Sequence, residues 1–303
     1  MKPDKIFMTY DEQIALLKEK KLSFINEEKA IVFLKEFSYY SLVSGYKDIF
    51  KIERNGNYRS DSCFEDMVNL YYLDDYLRNI FLHRIISIEK HIKSLYSYHF
   101  CETYGDKQND YLNVTNYNYK KYQCEINTCV SIIKNNIDNS SKYKYIEHYK
   151  KKHDTIPLWV IIQTLTFGNL SKLFSFSRQE LQSKIARNFK DVYGNQLSSM
   201  LNVLSKFRNV CAHGERLYNF KTKSSIIDLP IHKTLPDYCS KSKNDLFNVC
   251  ICLKYLLPQR DFSNFTTDLS TIVTTSFNHL NDYYRHQILK EMGFPDDWEE
   301  LLK

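Results

Sequence analysis

The sequence predicts an all-α protein because it contains few chain-breaking residues and two segments with helical apolar periodicity. Its 303 residues include only 7 Gly and 6 Pro, too few for a β architecture with many tight turns. Between Phe64 and about Phe100, apolar residues recur mostly every three or four positions, as they do on one face of a long helix. A second apolar stripe covers Asn195 to Phe207. We therefore expect packed helices rather than sheets.

Shorter helices are predicted on both sides of these two. Thr9 and Glu12 fit a capping box, in which each side chain accepts a backbone N–H at the start of a helix. Pro157 suits the first turn of a helix through Leu165, because the N–H it lacks would have no helical partner. We expect further helices at about Glu27–Phe37, Tyr122–Ile137, Lys243–Leu257 and Asp268–Met292, a turn at Thr166–Ser171 leading into a short helix, and loops at Arg54–Asp61 and around Pro230 and Pro236.

The chain shows no internal repeat and no obvious linker. Its length allows one or two domains. We expect a helical domain over residues 1–220 and a helical C-terminal extension over residues 221–303 that packs on it. The alternative is that the two segments form one continuous domain.

Composition narrows the class of protein. A net charge of +6 permits a polyanionic partner without requiring one. The 8 cysteines show no CxxC pair and the chain shows no secretory signal, so we expect reduced thiols in the cytoplasm. No apolar run approaches the ~20 residues of a membrane helix. Without zinc-type spacing, a phosphate-binding loop or paired carboxylates, we expect no metal and no cofactor.

A lysine- and tyrosine-rich segment over Ser141–Lys152 allows two interpretations. Lysine runs are common on solvated helix faces and in loops. They also contact nucleic-acid backbones. The lysines concerned are Lys142, Lys144, Lys150, Lys151 and Lys152.

The segment Arg208-Asn209-x3-His213 contains the residue types that metal-free RNA cleavage needs. Histidine suits proton transfer to and from RNA oxygens, because its ordinary pKa lies near neutrality. Arginine stays charged and its planar fork matches phosphate oxygens. Asn209 could hold the helix start or orient the imidazole through a hydrogen bond. One motif supplies one histidine, so a symmetric dimer that brings two copies together would complete the site.

A purely structural interpretation of the same motif stays open. On a helical projection Arg208 falls within the apolar stripe, where a guanidinium needs a carboxylate partner or an anion. Glu89 on the long predicted helix is a candidate partner. His213 could then cap the helix end beside Gly214.

The same spacing recurs at Arg78-Asn79-x3-His83. It could pair with the first copy inside one chain and form a monomeric site. Alternatively, Asp74 lies four residues before Arg78 and could pair with it on the helix. His83 would then face solvent.

An ordered series of motifs resembles the Abi-like family of bacterial phage-defence proteins over roughly residues 8–220. The series is Tyr10-x2-Gln13-x2-Leu16, Tyr39-Tyr40-x-Leu42-x2-Gly45-Tyr46, Leu73-Asp74-x2-Leu77-Arg78, Ile88-Glu89, Pro157-Leu158-Trp159, Leu165-Thr166-Phe167-Gly168-Asn169-Leu170-Ser171 and Arg208-Asn209-Val210-Cys211-Ala212-His213. Residues from about 221 onward match no motif of this pattern.

The resemblance implies a HEPN-like helical bundle with additional N- and C-terminal helices. It also implies a dimeric, metal-independent endoribonuclease of abortive-infection or toxin–antitoxin systems. Arg208 would contact the scissile phosphate, His213 would act as general acid or base, and Asn209 would support them. Expected partners are RNA, as substrate or as a small regulatory RNA, a second copy of the chain, and an antitoxin. The alternative is a non-catalytic RNA-binding or interaction protein of the same family.

Overall fold

The computed structural model describes residues 6–52, 56–153, 155–235 and 243–303. Within these ranges the protein is helical and forms isolated β-bridges but no strand, which confirms the all-α prediction. The α-helices are α1 (Tyr10–Glu19), α2 (Glu27–Tyr39), α3 (Phe64–Tyr104), α4 (Gln108–Leu112), α5 (Gln123–Asp138), α6 (Lys144–His153), α7 (Leu158–Ile161), α8 (Phe167–Ser175), α9 (Gln179–Ala186), α10 (Gly194–Ala212), α11 (Leu246–Leu256), α12 (Gln259–Phe277), α13 (Asp282–Met292) and α14 (Trp298–Leu302).

The long helix α3 is the centre of the fold. Most of its apolar stripe is buried, for example at Leu77, Phe81 and Ile85. Helices α10 and α12 both pack along it. The 41 residues of α3 form a single element because the apolar positions keep a helical period throughout. This confirms the long helix that the sequence predicts.

Helix α10 extends beyond the predicted Asn195–Phe207 stripe and ends beside His213, where one interpretation of the sequence predicts a helix cap. It continues past Phe207 to Ala212, because Val210 and Cys211 extend its buried stripe. No break separates Ser205 from Arg208, so the whole Arg208-Asn209-x3-His213 motif belongs to one helix end. The chain then leaves the helix at Gly214, whose φ of +66° favours glycine.

Some predicted boundaries are wrong, including the start of the last predicted helix, which is Gln259 and not Asp268. Thr166 caps α8 by accepting the Asn169 N–H at 3.2 Å, so the predicted turn is the first part of a helix. The segment predicted as one helix over Asp268–Met292 is two, because Asn281 caps α13 by accepting the Tyr284 N–H at 3.0 Å. The capping box at Thr9 is confirmed, since the Thr9 N–H donates to Glu12 Oε2 at 2.7 Å and Thr9 Oγ1 accepts the Glu12 N–H at 3.3 Å.

The C-terminal helices pack on the rest of the molecule. Phe81 of α3 and Phe265 of α12 meet edge to face at 5.1 Å between ring centroids. One cluster of buried side chains extends from Ile14 to Leu302. The division at residue 220 stays a prediction. Pro236, together with residues 54 and 55 of the predicted Arg54–Asp61 loop, lies outside the described residues. No described helix has the length and apolar character needed to cross a bilayer.

Candidate functional site

A cluster of three charged side chains lies between α3 and α10. Glu89 Oε1 is 2.8 Å from Lys93 Nζ, and the two side chains are only 10% and 8% exposed. Glu89 Oε2 is 3.8 Å from Arg208 Nε. This second distance is an electrostatic contact rather than a hydrogen bond. The partner suggested for Arg208 by the sequence is therefore the one that the structure places next to it.

The Nε of Arg208 is buried beside Glu89, but the side chain is not buried as a whole. Nε is inaccessible to solvent and has no hydrogen-bond partner among the described residues. The side chain is nevertheless 34% exposed, so its accessible surface belongs to its other atoms. Arg208 thus combines a buried Nε with other side-chain atoms that solvent, or an anion, can reach.

Asn209 and His213 lie exposed at the same end of α10. His213 ends the helix, with its backbone N–H donating to the Asn209 carbonyl at 3.0 Å. Four helical residues separate the two side chains by about one turn, so they share a face. Arg208 and His213 are five residues apart, about 140° around the axis. The motif therefore presents an imidazole to solvent and directs the arginine stem toward α3.

Asp74 of α3 holds the chain that follows His213. Its carboxylate accepts the backbone N–H groups of Leu217 at 3.0 Å and Tyr218 at 2.6 Å. It also accepts hydrogen bonds from the Tyr46 hydroxyl and Arg78 Nη1, each at 2.7 Å. Burial raises the pKa of Asp74, while these hydrogen bonds and the Arg78 charge favour its ionised form. The four donors explain how a fully buried carboxylate is tolerated.

Further contacts tie the same region together. Arg216 donates a hydrogen bond from Nη1 to the Gly45 carbonyl. Phe220 packs on Phe207 at 5.0 Å between ring centroids. Burial raises the pKa of Cys211 to about 12, so its sulfur stays protonated and is a poor nucleophile. The motifs around Gly45, Asp74 and Arg208 thus meet in one region, although they are far apart in sequence.

The second motif has a different environment. Arg78 is 7% exposed and pairs with Asp74 at 2.7 Å and Asp75 at 2.9 Å. The pairing with Asp74 is the alternative that the sequence offers for Arg78. His83 lies exposed on α3. The guanidinium of Arg78 is committed to internal partners, unlike that of Arg208.

The lysines proposed for RNA contact are exposed. Of the five, Lys144, Lys150, Lys151 and Lys152 belong to α6 and Lys142 to the 3₁₀ turn before it. Lys151 pairs with Glu147 at 2.6 Å. The described residues include no group of three His, Cys, Asp or Glu side chains placed to hold a metal ion. Cys250 and Cys252 are fully buried in α11, while Cys239 lies outside the described residues.

Two features of the site were not found from the sequence. Lys93 completes the buried charge cluster, and its spacing of four residues from Glu89 was the available signal. The role of Asp74 as acceptor for Leu217 and Tyr218 had no local signal, because 143 residues separate Asp74 from Leu217.

Comparison with known protein families decides the relationship that the motifs suggest. The family model described as Abi-like protein matches residues 32–219. This chain belongs to the Abi-like family. No curated protein and no solved structure gives a significant match. The match spans α3, α8 and α10, and with them Glu89, Asp74 and the Arg208-Asn209-x3-His213 motif of this Abi-like protein.

Proposed function

We propose that this Abi-like protein is a metal-independent endoribonuclease that acts in phage defence. The observation that carries the proposal is that an exposed histidine and a partly buried arginine lie at the same end of α10. His213 presents an exposed imidazole, and Arg208 has an Nε buried beside Glu89 and other side-chain atoms that solvent can reach. A phosphodiester needs both a proton-transfer group and a fixed cation during cleavage. Family membership supports the defence role, and the HEPN-like motif supports the chemistry.

The reaction proposed is transfer of the RNA phosphoryl group to the neighbouring hydroxyl. A histidine takes the proton of the 2′-hydroxyl, and the 2′-oxygen forms a bond to phosphorus. The bond from phosphorus to the 5′-oxygen breaks, and that oxygen receives a proton from an acid. The products are a 2′,3′-cyclic phosphate and a 5′-hydroxyl. Arg208 would stabilise the negative charge on the pentacoordinate phosphate, and Asn209 would orient the imidazole of His213.

A homodimer suits this chemistry better than a single motif. One chain supplies one His213, whereas the reaction uses a base and an acid. Arg208 and His213 also point about 140° apart on their helix. A two-fold axis beside the end of α10 would bring a second imidazole and a second guanidinium to the same phosphate. In the cytoplasm such an enzyme needs restraint, which an antitoxin or a small RNA would provide.

The decisive experiment is incubation of the purified full chain with total RNA in the presence of a metal chelator. Products ending in 2′,3′-cyclic phosphate are expected from the wild type. Arg208→Ala and His213→Ala should each lower the cleavage rate at least 100-fold, as loss of a catalytic group does. Arg260→Ala and His279→Ala change exposed residues of the same types far along the chain and serve as matched controls. Thermal unfolding of all four variants checks that they fold.

Three results would redirect the proposal. If Arg208→Ala and His213→Ala cut RNA at the wild-type rate, the nuclease site lies elsewhere or the activity is a contaminant. If the wild type binds RNA with steep salt dependence but never cuts it, the non-catalytic RNA-binding alternative holds. If the active enzyme sediments as a strict monomer, the second histidine must come from the same chain, and His83→Ala becomes the next variant to assay.

A further inference from the structure

A large polar cleft opens at the start of α10, at the opposite end of the helix from His213. Its volume is about 830 Å³, within the usual range for small-molecule sites. The start of α10, the connection from α8 to α9, helix α9 and the segment before α5 line it. Ser, Asn and Gln side chains make up most of the lining, and Asp and Glu are absent from its described residues. Such a lining suits a ligand rich in hydrogen-bonding groups and does not repel phosphate.

Some side chains of the lining already have hydrogen-bond partners within the protein, and others do not. Ser198 Oγ is hydrogen-bonded to Ser175 Oγ at 2.6 Å, and Gln182 Nε2 donates to the Phe174 carbonyl at 2.9 Å. The side-chain amides of Asn118 and Asn202, by contrast, have no hydrogen-bond partner among the described residues, where only the backbone groups of these two asparagines are bonded. Two amides of this kind offer paired donors and acceptors, the pattern that the edge of a nucleobase presents.

Aromatic and cationic groups complete the cleft. Tyr193 lines it and is 74% exposed. Tyr122 also lines it, with Lys121 Nζ 5.0 Å from its ring centroid. Exposed aromatic rings are surfaces on which unpaired bases stack. Lys121 is the charged residue of the lining and would face a phosphate.

The cleft and the Arg208-Asn209-x3-His213 motif lie on one face of one helix. Helix α10 is continuous from Gly194 to Ala212. At about 100° a residue, Asn195, Asn202, Asn209 and His213 all fall within about 40° of one another. Asn202 and His213 are separated by about 16 Å along the axis. A single strand crossing His213 can therefore continue along this face into the cleft, whereas a dinucleotide is too short to do so.

We infer that the cleft at the start of α10 binds an unpaired nucleoside of single-stranded RNA, several nucleotides from the phosphate that His213 acts on. Only the distance between the cleft and the cleaved phosphate rests on the proposed function, because binding in the cleft does not require cleavage. Asn118 and Asn202 hydrogen-bond the base, Tyr193 stacks on it, and Lys121 contacts the backbone. The cleft thereby makes the enzyme prefer long single strands over short or double-stranded RNA.

Binding is tested with the full chain carrying His213→Ala and a single-stranded RNA of about eight nucleotides, followed by fluorescence anisotropy. Adding Asn118→Ala and Asn202→Ala should weaken binding about tenfold, the loss expected for two hydrogen bonds. Asn135→Ala, an exposed asparagine of α5 outside the cleft, is the matched control. Alanine favours the helical conformation at position 202, so this variant should fold. Equal affinity in the cleft and control variants overturns the inference, as does a failure of this RNA to bind at all.

Cleavage kinetics separate the two proposals. In the otherwise wild-type chain, Asn118→Ala with Asn202→Ala should raise KM for the eight-nucleotide RNA about tenfold and leave kcat unchanged. The same variant should cut a dinucleotide as fast as the wild type does. If the protein cuts both RNAs and the variant changes neither, the cleft inference fails and the nuclease proposal stands. If nothing is cut but the tenfold binding loss is found, the reverse holds.

Discussion

The carboxylate of Asp74 accepts the backbone N–H of Tyr218 at 2.6 Å, so helix α3 fixes the chain just beyond the end of α10. Tyr46 and Arg78 hydrogen-bond the same carboxylate. The segment after His213 therefore has a defined path, although it belongs to no regular element. Because Gly214 and His213 come immediately before this segment, Asp74 also limits where the end of α10 can lie.

Asp74→Asn should destabilise the fold strongly. The substitution leaves Arg78 without its buried counter-charge, and removing one partner of a buried ion pair costs about 3–5 kcal/mol. Asp75→Asn is the matched control, because Asp75 also pairs with Arg78 but is 47% exposed. Its cost should stay below about 1 kcal/mol. Urea unfolding of both variants measures the difference. Equal costs would show that the buried carboxylate is not the stabilising partner.

Glu89 is expected to hold Arg208 in place as a positioning residue. Glu89→Gln should lower the free energy of unfolding by about 3 kcal/mol, because Lys93 then becomes an unpaired buried charge. Adding Lys93→Met should restore part of the loss. If the proposed function is right, this stable double variant still cuts RNA about tenfold more slowly, since the arginine stem is no longer fixed.

Two outcomes would contradict this account of Glu89. If the double variant is as unstable as Glu89→Gln alone, the buried charge of Lys93 is not the source of the loss. If it cuts RNA at the wild-type rate, Glu89 does not position Arg208. Glu102→Gln removes a carboxylate that is 48% exposed and should change neither quantity appreciably.

Substitution of Gly214 should destabilise the protein because of the backbone conformation there, and not because the new side chain would meet neighbouring atoms. Its φ is +66°, and no atom lies within 4 Å of the position of an added Cβ. Gly214→Ala should cost about 1 kcal/mol of stability, and Gly214→Asn less, because asparagine tolerates this conformation better. Gly168→Ala, inside α8, should cost nothing or stabilise the protein. Urea unfolding checks the order, and equal effects at positions 168 and 214 would contradict it.

Stability should fall in acid partly through Asp61. Burial acts to raise the pKa of Asp61, but hydrogen bonds from Tyr284 and Asn281 and the charge of Arg59 lower it overall. A carboxyl whose pKa is lowered by folding stabilises the folded state above its unfolded pKa. That contribution disappears as the pH falls through the folded-state pKa. Because the side chain is 43% exposed, its contribution is expected below about 1 kcal/mol.

Asp61→Asn tests this dependence, since asparagine keeps the shape but cannot ionise. The free energies of unfolding of the variant and the wild type should differ near neutral pH. They should converge as the pH falls below about 4, the ordinary pKa of an aspartate. Urea titrations at several pH values give the comparison. A gap that stays constant over the whole range would mean that ionisation of Asp61 is not its source.

Features that repeat locally could be predicted from the sequence. The apolar stripes located α3 and α10, and the projection of Arg208 onto the apolar face led to Glu89 as its neighbour. The break before α13 was missed because Asn281 acts through one side-chain hydrogen bond that periodicity does not reveal. The contact from Asp74 to Leu217 was missed because it depends on how distant helices pack. Sequence patterns describe faces of single helices, whereas the site is built between them.

The last prediction concerns whether RNA contacts the lysines of α6. Lys150 and Lys152 are exposed, Lys151 is paired with Glu147, and Ile146 is the one buried residue of the helix. Helix α6 packs chiefly on α7 and on the turn before it. We expect these lysines to be a solvated face that RNA does not touch.

Salt dependence distinguishes a solvated face from a bound one. Each phosphate that a lysine neutralises contributes about 0.7 to the slope of log affinity against log salt for a single strand. Lys150→Gln with Lys152→Gln should therefore leave the slope unchanged, whereas Lys121→Gln in the cleft should lower it by about 0.7. Anisotropy titrations of one RNA over a series of salt concentrations measure both. A drop of about 1.4 in the α6 variant would mean that α6 binds the RNA backbone, since two phosphate contacts would then have been lost.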